Sequence, residues 1–62
     1  MKRITIVFES GAIQEFEVEE FTVSKNRFGE LVGAEWEPIE GKKTPLRINI
    51  NNIDGIFYEE IN

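Results

Sequence analysis

The sequence predicts an all-β fold: a five-stranded antiparallel, partly open small barrel of the SH3 or Sm type, with a short helical turn before its last strand. Three observations lead there. Apolar and polar residues alternate in runs of strand length, turn residues recur about every dozen positions, and no stretch sustains an apolar period of 3.6. A twisted antiparallel meander of the same strands is the alternative, and it would leave one apolar face in need of a partner. Sixty-two residues make one domain, 1–62, near the lower size at which a chain without staples folds alone.

Residues 2–9, KRITIVFE, put Ile4, Ile6 and Phe8 on one face, which is the alternation of a half-buried strand. Ser10 and Gly11 supply a turn, and Ala12 opens the return strand. In that strand the apolar phase changes. Phe16 and Val18 occupy even positions and Phe21 and Val23 odd ones, so a straight ribbon would turn the second pair away from the core. One extra residue in a β-bulge at Glu19-Glu20 restores them to the inside and bends the strand, so that it serves two sides of a small barrel.

Asn26 and Gly29 mark the next reversal. A third strand, residues 30–37, is expected to turn Val32, Ala34 and Trp36 inward and to stop at Pro38, which has no N–H to donate. Residues 39–45, IEGKKTP, read as an exposed connection. A fourth strand would direct Leu46, Ile48 and Ile50 inward; Asn51-Asn52 would cap a helical turn with Ile53 and Ile56 beneath it, and residues 57–61 would be the last strand.

The composition narrows the chemistry. Without cysteine or histidine there are no disulfides, thiolate metal sites or His-based triads, and Ser10 and Ser24 are ordinary turn neighbours. The glutamates fall on outer strand faces or in loops, where water keeps them ionised, so a tuned acid–base pair is not expected. Residues 50–55 resemble a calcium loop at Asn52, Asp54 and Gly55, but the first and twelfth ligands would be Ile50 and Ile61, which offer no side-chain oxygen. No enzyme activity, cofactor or metal is expected. No apolar run is long enough to cross a membrane, Met1-Lys2-Arg3 leads into a strand and not a signal-peptide core, and a cytoplasmic protein is the expectation.

Twelve acidic against seven basic residues give a net charge of −5, which disfavours direct binding to a phosphate backbone. The arrangement of the acids is more informative. Glu15, Glu17 and Glu19 recur on one strand face about 6.7 Å apart, comparable to successive phosphates along one nucleic-acid strand, and Glu35 and Glu37 extend the charge on a neighbour. Such a row could occupy the basic groove of a nucleic-acid-binding protein, or serve as a solvated face that keeps a strand edge from aggregating. Phe28, Trp36 and Tyr58 are candidate anchors for a protein partner; acidic neighbours of Trp36 and Tyr58 argue against base stacking.

Taken together, ITIVFESG, NRFGELVGAEWE and LRININNIDGIFYEE resemble small uncharacterised proteins of bacteriophages and prophages. The resemblance spans most of the chain and rests on core and turn patterns. It implies a noncatalytic interaction protein, an inhibitor of a host enzyme or antiviral defence complex, in some cases a nucleic-acid mimic and often a homodimer. Residues expected to meet the partner are Glu15, Glu17, Glu19, Glu35, Trp36, Glu37, Phe28 and Tyr58; an unpaired strand edge, or an outer apolar patch that includes Val7, Ile13 and Phe57, is the expected dimer surface. A structural or assembly module of a larger particle is the alternative, and an oligonucleotide-binding barrel comes third.

Overall fold

The computed structural model describes residues 1–61. Its strands are β1 (Lys2–Phe8), β2 (Ile13–Lys25), β3 (Leu31–Pro38) and β4 (Ile53–Glu60), with a single 3-10 turn at Ile50–Asn52 leading into β4. They form one antiparallel sheet in the order β3-β2-β1-β4. The sheet curls into an open half-barrel.

The long strand β2 organises this shape. Its first half pairs with β1, Ile4 opposite Phe16, and its second half pairs with β3, Phe21 opposite Trp36. Between them the register slips: Val18 faces Pro38 and Glu20 faces Glu37, so Glu19 is an extra residue on β2. This is the bulge that the phase change requires, since it returns Phe21 to the face of Phe16 and Val18. Phe21, Trp36 and Phe16 then meet: the Phe21 and Trp36 rings stack at 5.9 Å with 12° between planes, and each lies 6.2 Å from Phe16. Geometry of this kind contributes about 0.5–1.5 kcal/mol per pair beyond area burial.

Ile4, Ile6, Phe16 and Val18 are buried, and Phe8, Phe21, Trp36, Ile48, Ile53 and Ile56 pack around them half-covered. Two further bulges shape the sheet. Asp54 is the extra residue where Val7 faces Gly55 and Phe8 faces Ile53, and Val32 is the extra residue where Ser24 faces Gly33 and Lys25 faces Leu31. The second corrects one expectation: Ala34 and Trp36 share the face of Phe21 and Val23, but Val32 is exposed.

The turns follow their chemistry. Gly11 closes the β1–β2 turn at φ 91°, its N–H donating to the Phe8 carbonyl at 2.9 Å. In the β2–β3 turn the Asn26 side-chain oxygen accepts from the N–H groups of Phe28 and Glu30 at 2.9 and 3.0 Å, and Gly29 takes φ 80°.

The described residues form four strands and not five. Residues 46–50 alternate like a strand, yet they have no place in the sheet. The chain must travel from β3 at one edge to β4 at the other, and Pro45 has no N–H for a ladder. The segment instead crosses the open face of the curl. There Pro45 and Ile48 approach Ile6, Phe8 and Phe16, while Leu46 is left 99% exposed. The helical turn is present, but its cap is Asn49, whose side-chain oxygen accepts from the Asn51 N–H at 3.2 Å. The last strand starts at Ile53, four residues before the expected Phe57.

Deleting Glu19 removes the phase shift and sends Phe21 and Val23 to the outer face. The expected loss is about 3–5 kcal/mol, the scale of removing a buried aromatic. Glu19→Ala keeps the residue count and should change stability by no more than about 0.5 kcal/mol. Thermal unfolding followed by circular dichroism checks both, and a deletion variant melting with the parent contradicts the assignment.

Candidate functional site

Residues next to the inward set point to the convex face of the sheet. On β1 these are Arg3, Thr5 and Val7, opposite Glu17, Glu15 and Ile13 of β2 on one side and Glu59, Phe57 and Gly55 of β4 on the other. Beyond the bulge the outward positions of β2 become even, which places Glu20 opposite Glu37 and Thr22 opposite Glu35. Glu15, Glu17, Glu20, Glu35 and Glu37 therefore belong to one continuous outer surface, with the exposed Glu19 in the bulge between its halves.

Basic residues divide this surface into two parts. Arg3 holds Glu59 at 2.8 Å and Glu17 at 3.4 Å, with Glu15 at 4.0 Å, and Lys42 reaches over from the crossover segment to Glu17 at 2.8 Å. Thr5 donates its hydroxyl to Glu15 at 3.4 Å. Lys2 binds Glu20 at 2.8 Å and lies 3.9 Å from Glu60. Glu19, Glu35 and Glu37 have no cation within ion-pair distance among the described residues. Three cations thus serve the five carboxylates Glu15, Glu17, Glu20, Glu59 and Glu60, and the bulge and β3 hold acids with none beside them.

The ionisation of these groups follows their contacts. The hydrogen bond from Lys42, aided by Arg3, holds the Glu17 carboxyl below the usual glutamate value, and the hydrogen bond from Lys2 does the same to Glu20. Arg3 is raised chiefly by Glu59 and Lys2 chiefly by Glu20.

The three aromatic candidates go to three different places. Trp36 is half-buried, packed against the core with its ring stacked on Phe21. Phe28 sits at the tip of the β2–β3 turn, 73% exposed, with the Arg27 guanidinium 5.0 Å from its ring centre. Tyr58 lies on the concave face, 71% exposed, at the side of a trough of about 590 Å³ that also takes in Phe21, Val23, Leu31, Ile56 and Lys25. The glutamates come together; the aromatics do not join them.

Glu20 and Glu59 belong to the acidic surface although the strand pattern does not single them out. Glu20 is within reach of sequence reasoning, because the bulge that returns Phe21 inward necessarily turns Glu20 outward. Glu59 depends on which strand lies beside β1, and the chain carries no local signal for that. Among the described residues no cluster of Asp or Glu is placed to hold a metal ion, and no helix is long and apolar enough to cross a membrane. No family model, curated protein or solved structure matches the chain.

Glu17 and Glu20 have lowered pKa values in the folded state, so their contribution is present above the ordinary glutamate value of 4.5 and is lost as pH falls through the folded values. The melting temperature should drop on acidification from about pH 6 to about pH 3, and the drop should shrink in Glu17→Gln/Glu20→Gln. Equal acid sensitivity in the two proteins contradicts the pairing scheme. Arg3 and Lys2 are raised, so they add no change below strongly alkaline pH.

Proposed function

We propose that this chain is a noncatalytic interaction protein that captures a basic protein surface with the uncompensated acidic half of its convex face. The observation that carries this reading is that Glu35 and Glu37 of β3 and Glu19 in the adjoining bulge have no cation within ion-pair distance among the described residues, while Glu20, held by Lys2, faces Glu37 directly. Like charges facing each other across strands are destabilising, and only Lys2 offsets them here. A partner bearing Arg or Lys would relieve that repulsion and steer association. The resemblance to small phage and prophage proteins directs the proposal to a host target in the cytoplasm: an enzyme or antiviral defence complex with a basic nucleic-acid-binding groove, where the acidic face replaces phosphates.

Glu35 and Glu37 are the positions to test. Reversing Glu15 or Glu17 would also disrupt the Arg3 cluster and confuse binding with stability. Glu35→Lys/Glu37→Lys should weaken capture of the basic partner from bacterial lysate at least about tenfold, or ~1.4 kcal/mol. The same variant should be more stable by about 0.2–1 kcal/mol, because the second of the two introduced lysines would face Glu20 attractively. Partner affinity unchanged by this reversal removes the acidic-face reading.

The alternative, an assembly module of a larger particle, draws on the two free sheet edges, β3 and β4. It requires growth of the assembly with concentration, without an added basic partner.

A further inference from the structure

The two free edges of the sheet are not alike. β3 is protected in three ordinary ways: it is interrupted by the bulge at Val32, it ends at Pro38, and it carries the unpaired charges Glu35 and Glu37. β4 keeps a regular register with β1 over residues 55–60. Its two terminal glutamates, which would guard an edge, are drawn back onto β1, Glu59 to Arg3 at 2.8 Å and Glu60 toward Lys2 at 3.9 Å. It also exposes an aromatic on each face, Phe57 at 62% on the convex side and Tyr58 at 71% on the concave side. An edge strand that exposes an aromatic on each face, and whose two terminal glutamates lie beside Lys2 and Arg3, is less guarded than β3, although its Asp54 has no cation beside it among the described residues.

The hydrogen-bond phase shows which groups it offers. The Ile61 N–H donates to the Met1 carbonyl at 3.0 Å, so with the observed register the odd residues Phe57 and Glu59 bond to Thr5 and Arg3 of β1. Ile56, Tyr58 and Glu60 therefore direct their N–H and C=O groups to the open side.

We infer that β4 pairs antiparallel with β4 of a second copy, about a two-fold axis at Phe57, to make one continuous eight-stranded sheet. Self-complementarity selects the occupant. In this register Phe57 meets Phe57 on the convex face, next to the exposed Ile13 and half-buried Val7, and Tyr58 meets Ile56 of the second copy on the concave face. Glu59 falls opposite Gly55, which has no side chain to oppose it, and Glu60 falls opposite Asp54, a like-charge pair at each end of the contact beside Lys2, which lies 3.9 Å from Glu60. Each chain carries a net charge of −5, but Lys2 and Arg3 lie beside Glu60 and Glu59 at this edge whereas Glu35 and Glu37 of β3 have no cation beside them among the described residues, so two copies approach more readily along β4 than along β3. The inference is independent of the acidic-face reading, whose free charges lie at the opposite edge.

Sedimentation equilibrium at physiological salt, combined with amide hydrogen exchange, tests this. The chain should sediment at twice its mass, and the Ile56 and Tyr58 amides should be protected at high concentration and lose protection on dilution. Tyr58→Pro removes only an outward N–H, so it should give a folded monomer. A monomer at every concentration, an assembly larger than a dimer, or a folded Tyr58→Pro variant that stays dimeric overturns the inference. If that variant does not fold, the parent decides the matter: unprotected Ile56 and Tyr58 amides at high concentration overturn it.

Discussion

One inserted residue governs this molecule. Glu19 separates two halves of a thirteen-residue strand, and the half-turn it introduces lets Phe21 join Phe16 and Val18 on one interior, with Val23 on the same face but exposed at 37% and not inside as the alternation predicts. Without it, β2 would place Phe16 and Val18 inside and Phe21 and Val23 outside, and β3 would have no aromatic to receive Trp36. The curl of the sheet, the stacked Phe21–Trp36 pair and the division of β2 between two neighbours all descend from that single slip. A core of four buried side chains leaves little room for error, since each contributes only about 1.5–3 kcal/mol by burial.

The same bulge arranges the surface. By changing which positions of β2 face outward, it brings Glu20 into line with Glu35 and Glu37 and sets that group apart from the cluster held by Arg3 and Lys42. Structure and charge are therefore coupled: the acids nearest β1 are ion-paired to Arg3, Lys42 and Lys2, and Glu35 and Glu37 of β3 have no cation beside them among the described residues. Exposed ion pairs add little stability individually. Their larger effect is on how charge is distributed: Glu59 and Glu60 of β4 lie beside Arg3 and Lys2, and β3 has no such partners among the described residues.

Much of this is legible in the sequence where a local rule is sufficient. The phase change at Glu19-Glu20 locates the bulge, Gly11 and Asn26 locate the reversals, and alternation identifies β1, β2 and β3. The reading fails where the answer depends on position in space. Residues 46–50 have the period of a strand, but alternation cannot reveal that β4 lies beyond β1 and that the connection must cross the open face to reach it. Asp54 and Val32 bulge without a phase signal as plain as that of β2, so neither the start of β4 nor the exposure of Val32 follows from pattern alone. Strand geometry places Glu15 and Glu17 on one face and Glu35 and Glu37 on the neighbouring strand, but Glu19 leaves that row because it is the extra residue of the bulge. Trp36 is drawn into the core by Phe21, a consequence of the bulge that no residue near Trp36 announces.

The most direct measurement of the central claim is the set of nuclear Overhauser contacts made by the Phe21 ring in solution. Contacts to the Trp36 indole and the Phe16 ring, with Glu20 aligned to Glu37 across the strands, are what a bulge at Glu19 predicts. A Phe21 ring in contact with outer-face residues such as Glu17, and a Trp36 indole without aromatic neighbours, would contradict it.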